Sequence, residues 1–350
     1  MRRPIAVVVV DAADDNRRVP PDSHTETFQH KRGHMQIEKQ SKTWHSITSA
    51  ALVVLVVISL VGCRSKSATQ SSQQPTYATP AAAGDALQQA SKNADSGAII
   101  NILGNGSDAV VSSGDANEDQ RTTASFARKY DKMHRWSKMT DGSQILYIGA
   151  DNYPFPIPLK QNKASQWYFD TPAGKIEVLA RRIGRNELLA MDATFAIAVA
   201  QERYYRMAQD GKPASQYAQL ILSSTGKKDG LYWKVNADEP VSPLAKVEPI
   251  ANVDAAPGST TQILDGYTFR ILTAQGDKAS GGAKSYLKDG KLIGGFAVLA
   301  SPVKYHDSGI MTFLLGPDGI LLEKDLGTST VAAAAAIQEY NPDQTWTPAR

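Results

Sequence analysis

Residues 47–61 (ITSAALVVLVVISLV) form an apolar run that ends at Gly62 and Cys63, the only cysteine of the chain. The run is shorter than the ~20 residues that cross a bilayer as a mature helix. Lys39 and Lys42 lie ahead of it as a basic flank, so residues 1–62 read as an export signal with small residues at its end. Residues 1–34 are charged and proline-containing. They precede a conventional start at Met35 and are expected to be a spurious leader. One thiol cannot make an internal disulfide, so a hydrophobic core must hold the fold unaided.

Leu60-Val61-Gly62-Cys63 resembles the lipobox of bacterial lipoproteins, in which the signal is cut before a cysteine that then carries the lipid. The resemblance implies acylation of Cys63, a palmitate-type anchor and a periplasm-facing place in the outer membrane, since Arg64 is not an aspartate retention signal. An uncleaved membrane anchor competes with this reading, and the cysteine directly after Gly62 counts against it. Residues 63–79 are polar and rich in serine and glutamine, a lipidated tether. Beyond residue 62 the basic and acidic side chains balance at 30 to 29, which gives no electrostatic footprint for nucleic acid. His134 and His306 are the only histidines there, so neither a His-rich metal site nor a cofactor is expected.

Thr79-Pro80 is a helix cap followed by proline at the first helical position. A helix is expected over 80–93, with Ala83, Leu87 and Ala90 on one face. Residues 98–103 (AIINIL) read equally as helix or strand. A helix over 117–133 precedes strand candidates at 144–148, 155–160 and 166–169. PFPIPL at the middle candidate cannot donate regularly to a ladder, which places it at an edge or in an extended crossing. Thr171-Pro172 opens a helix expected to reach about residue 209, with Ile176, Leu179, Ile183, Met191, Phe195 and Val199 as its apolar face. A shorter helix is expected over 215–222.

Residues 239–261, rich in proline and alanine, read as a linker between domains at 80–238 and 262–350. From Gly266 the period becomes two. Strands are expected at 267–272, 285–288, 291–301, 310–315 and 320–324, with Asp289-Gly290 as a hairpin turn and a helix through the alanine run to Ile337. The fold class is α+β: N-terminal helices with a small sheet, a long central helix packed between the domains, and a C-terminal antiparallel meander.

The segments PFPIPL, FDTPAGKIEVLARRIGRNEL, DGLYW, GYTFRILTAQG, IGGFAVLASPVKY, SGIMTF and EKDLG, in that order, resemble a family of exported bacterial proteins catalogued as domain of unknown function 2950 (DUF2950). The resemblance covers essentially residues 80–348 and implies export and one shared architecture, with no mechanism attached. The G-Y-x-F-R opening of the meander is also similar to the sheet heads of pseudopilins.

Arg181, Arg182 and Arg185 fall within five residues, followed by Asn186 and Glu187. Paired guanidinium groups recognise carboxylate or phosphate bidentately, so this stretch is a candidate binding surface, with Asp229 and Trp233 of DGLYW and residues 294–296 beside it. A Glu177–Arg181 ladder or an interdomain salt-bridge cluster would use the same side chains. His306-Asp307-Ser308 has the residue types of a hydrolase triad, but neighbours in a turn cannot converge on one centre, and no G-x-S-x-G elbow is present. The stretch from Gly104 to Ala109 fits the loose G-x-G-x-x-A dinucleotide fingerprint, yet 112–115 interrupts the helix that pattern needs. No catalytic residue or metal ligand is assigned. The expected function is a non-catalytic binding or assembly factor, held to the membrane by the lipid on Cys63 and meeting an envelope protein or cell-wall component. The alternative is a cell-wall glycan or peptide hydrolase with unassigned carboxylates.

Overall fold

The Thr79 side chain accepts from Ala82 N at 3.1 Å and Pro80 needs no donor partner, so helix α1 (Pro80–Lys92) starts where the sequence signals it. In this computed structural model the described residues are 74–112, 116–207, 215–235, 241–245 and 257–349. The signal segment, Cys63, the tether to residue 73 and most of 239–261 lie outside them. The described residues fall in a single compact unit.

AIINIL is helical. Asp95 caps α2 (Ser96–Leu103) by accepting from Ala98 N at 2.9 Å, and Ile99, Ile102 and Leu103 face inward. A single turn, α3 (Asp108–Val111), leads to α4 (Ala116–Lys132). These helices cover an antiparallel sheet of His134–Lys138, Gln144–Ile148, Leu159–Gln161 and Trp167–Phe169, with Tyr153–Pro154 pairing the second of these strands. Of the expected strand 155–160 only the end pairs. Phe155 donates once, to Leu146 O at 2.7 Å, and the alternating prolines carry the chain across while Phe155 and Ile157 enter the core. His134–Lys138 was not expected as a strand, because its polar residues are ordered by pairing rather than by burial.

Asp170 and Pro172 start α5 (Thr171–Arg206), whose Val178 belongs to this first core. Further along the same helix, Ala190, Ala193, Ile197, Ala200 and Tyr204 belong to a second core. The expected apolar face is therefore corrected: Ile176, Phe195 and Val199 are exposed, and a line of alanines faces the sheet because small side chains allow close packing.

The second core is closed by an antiparallel meander of Thr261–Leu264, Tyr267–Leu272, Ala297–Pro302, Met311–Leu315, Leu321–Asp325 and Thr347–Pro348, each paired with the next. Ala297–Pro302 is buried at every position. Val298 and Ala300 face α5, whereas Ala297 and Leu299 pack with Tyr340 on the other side. Burial on both faces explains a continuous apolar run where alternation was expected. Asp289-Gly290 does turn a hairpin, with φ of 51° and 74°, but it joins only Leu287–Lys288 and Lys291–Leu292. Helix α6 (Thr330–Ala336) ends on Arg270, which donates to the carbonyls of Ala334 and Ile337 at 2.7 Å.

The expected helix at 215–222 is absent. Leu220–Leu222 pairs in parallel with Gly230–Tyr232, and the preceding backbone is held by Gln201, fully buried on α5. The Gln201 side chain donates to Ala218 O and accepts from Ala218 N, both at 2.8 Å. That pairing replaces the bonds a helix would have made. Among the described residues, no helix is long and apolar enough to cross a membrane.

Candidate functional site

The middle of α5 sends each candidate side chain to a different neighbour. Arg181 bonds Glu177 at 2.8 Å, donates to Pro154 O at 2.7 Å, and lies over the Tyr153 ring at 5.4 Å. Arg182, around the helix, donates from Nε to Asp307 O at 3.2 Å and pairs through Nη2 with the Asp307 carboxylate. Asn186 donates to Ser308 O at 2.9 Å, and Glu187 accepts from the amides of Ile310 and Met311 at 2.8 and 2.9 Å. The Arg182 side chain is only 17% exposed. Arg182, Asn186 and Glu187 thus form a brace that closes the 304–311 loop onto α5, while Arg181 ties the helix to the Tyr153–Pro154 strand. Arg185 is exposed. Burial pushes the Asp265 carboxyl up, and the charge of Arg185 draws it partly back.

Lys304 bonds the second Asp307 oxygen at 2.9 Å, and with Arg182 it holds this carboxyl below the usual carboxylate range. A carboxyl depressed in the folded state adds stability that is present above its unfolded value, near 4, and is lost as pH falls through the lower native value. Asp307→Asn should therefore lower stability at neutral pH and flatten its acid dependence below about pH 4. Chemical denaturation across pH 2–7 checks this, and an unchanged acid slope would contradict the brace.

The triad-like residues diverge. Ser308 Oγ accepts from Lys304 N at 2.9 Å and donates to Lys304 O at 3.1 Å, Asp307 faces the cations, and the His306 ring meets Tyr305 edge-on at 4.4 Å. The glycine loop is filled by the chain itself. Gln74 donates to the carbonyls of Leu103 and Phe169 at 2.9 and 2.8 Å, and a Cβ on Gly104 would sit 2.6 Å from its Cδ. Among the described residues, no group of three His, Cys, Asp or Glu side chains is placed to hold a metal.

Asp229 and Trp233 lie toward the other end of α5. The Tyr204 hydroxyl donates to Lys228 O there at 3.0 Å, about 28 Å of helix beyond Arg185. Both Asp229 oxygens hold the 223–229 loop, accepting from Ser224 N at 2.8 Å and Ser224 Oγ at 2.9 Å. Trp233 is buried in the second core with Lys228 Nζ 5.8 Å from its ring. A cleft of about 500 Å³ opens beside them. Residues 294–296 are placed apart from the brace: Gly294 N donates to Tyr286 O at 2.9 Å, and Phe296 meets the Tyr217 ring at 5.0 Å.

Phe195 and Val199, expected on the buried face of α5, belong instead to a second, exposed surface together with Leu188. Leu188, Phe195 and Val199 are 61, 44 and 52% exposed. At 3.6 residues per turn they fall within roughly 40° of one another, on the side of α5 away from the alanine line. The 3-4-3-4 spacing of Ala190, Ala193, Ile197, Ala200 and Tyr204 was the available signal for which face is buried.

The family model described as Protein of unknown function (DUF2950) matches residues 74–349. No curated protein and no solved structure matches the chain.

Proposed function

The chain belongs to the DUF2950 family, and on that footing we propose that it is a non-catalytic binding or assembly factor of the cell envelope. It is exported, anchored by lipid on Cys63, and faces the periplasm from the outer membrane. The observation that carries the binding role is the exposed stripe Leu188, Phe195 and Val199 on α5. Three large apolar side chains in one line, away from the core, suit contact with another protein rather than with water. The brace at Arg182–Glu187 holds the same helix, which lowers the ordering cost of docking on it. The partner is an envelope protein with a matching apolar face.

Mass spectrometry of the mature N-terminus tests the anchor. Cleavage before Cys63 and acylation there are expected, with acylation lost in Cys63→Ser. An intact 47–61 segment would overturn it. A photoreactive residue at Phe195 tests the stripe in cells. One defined protein adduct is expected, lost when Leu188→Asp and Val199→Asp are combined. An adduct indifferent to those changes would rule the stripe out as the contact. Release of soluble fragments from purified cell wall by the full chain would replace the binding role with hydrolysis.

A further inference from the structure

We infer that the cleft beside the 223–229 loop is a binding site for a small saccharide bearing an oxyanion, a phosphate or a carboxylate. The cleft measures about 500 Å³, and its wall includes Lys227, Lys228 and Lys234. None of the described lining side chains is acidic. The nearby carboxylate, Asp229, has both oxygens engaged in holding Ser224 and shapes the loop, while Lys227 and Lys234, both exposed, line the cleft. Opposite charge is the complement such a wall selects.

The loop is preorganised. Gly230 N donates to Ser223 Oγ at 3.0 Å, Ser223 N to Tyr232 O at 2.9 Å, and Lys227 N to Ser224 O at 2.9 Å. A Cβ on Gly230 would lie 2.6 Å from Ser223 N, so the glycine permits this close approach. The wall also supplies the hydroxyls of Ser224 and Thr225 and the rings of Tyr232 and Trp233, groups that pair with sugar hydroxyls and flank a sugar ring.

Trp233 provides the readout. Full chain in detergent is titrated with glucose 6-phosphate, glucuronate, glucose and inorganic phosphate, following tryptophan emission and heat of binding. One of the two anionic sugars should bind at least tenfold more tightly than glucose or phosphate alone, and which one does so identifies the anion. Its affinity should weaken as salt is raised from 50 to 500 mM. Lys227→Gln combined with Lys234→Gln changes two exposed side chains and should reduce affinity roughly tenfold while the melting temperature holds. Glucose binding as tightly as the anionic sugars would overturn the charge assignment. Phosphate binding as tightly would show an adventitious anion only. Absence of binding by all four, or affinity unchanged in the lysine variant, would overturn the site.

Discussion

Gly309→Ala should lower the melting temperature by roughly 6–12 °C, corresponding to about 3 kcal/mol of lost stability. An alanine Cβ would lie 2.6 Å from the Cε2 and Cζ atoms of Tyr267. That ring has no room to retreat. Tyr267 is fully buried, packs on Phe313 at 5.9 Å, and donates its hydroxyl to Met311 O at 2.9 Å. Relief therefore requires moving either the ring or the 304–311 loop, and the loop is tied to α5 through Asp307, Ser308 and the amides of Ile310 and Met311. Gly184→Ala on the neighbouring turn of α5 is the control. A Cβ there meets nothing within 4 Å, so helix propensity alone should stabilise by about 0.5–1 kcal/mol. A Gly309→Ala protein melting with the wild type would show that Tyr267 is not confined as described.

Glu187→Ala should cost about 2–4 kcal/mol, because it leaves two half-buried amides, Ile310 N and Met311 N, without their shared acceptor. Glu187→Gln separates charge from geometry. A glutamine oxygen can still accept from both amides, so most of the loss should be recovered, less the charge-assisted part of about 1 kcal/mol. Denaturant midpoints measure the loss, and amide exchange at residues 310 and 311 locates it. Equal losses in the alanine and glutamine variants would mean that the charge itself, rather than the pair of amides, holds the loop.

Local signals were legible where local chemistry decides the structure. Thr79-Pro80 and Asp170-Thr171-Pro172 start helices because the cap and the proline act within one turn. Asp289-Gly290 makes its hairpin because both residues tolerate positive φ. Asp265-Gly266 does the same at φ of 46° and 78°, but the sequence reading starts its first strand at Tyr267, and Thr261–Leu264, at the junction with the expected linker, carries no alternation strong enough to mark the partner strand. Residues 215–222 failed for the opposite reason. Their structure depends on Gln201 and on pairing with Gly230–Tyr232, which no local pattern contains. The KKDGLYWK stretch did carry a readable sign of the cleft, with lysines on either side of the adjacent aromatics Tyr232 and Trp233.

The sequence by itself determined the α+β class, the positions of the principal helices and the meander, the family resemblance, and the residue types at the candidate site. Each of these follows from period, capping or segment order along the chain. Only the tertiary structure decided what those side chains do. Asn186 and Ser308 stand 122 residues apart, and neither the arginine stretch nor the 304–311 loop names its partner. The same holds for α5, whose hydrophobic residues offered two faces. Close approach to the sheet selected the face of Ala190, Ala193 and Ala200, with Ile197 and Tyr204 filling the gaps between them, and left Leu188, Phe195 and Val199 outside, because where helix and sheet are in contact small side chains must supply most of the facing positions.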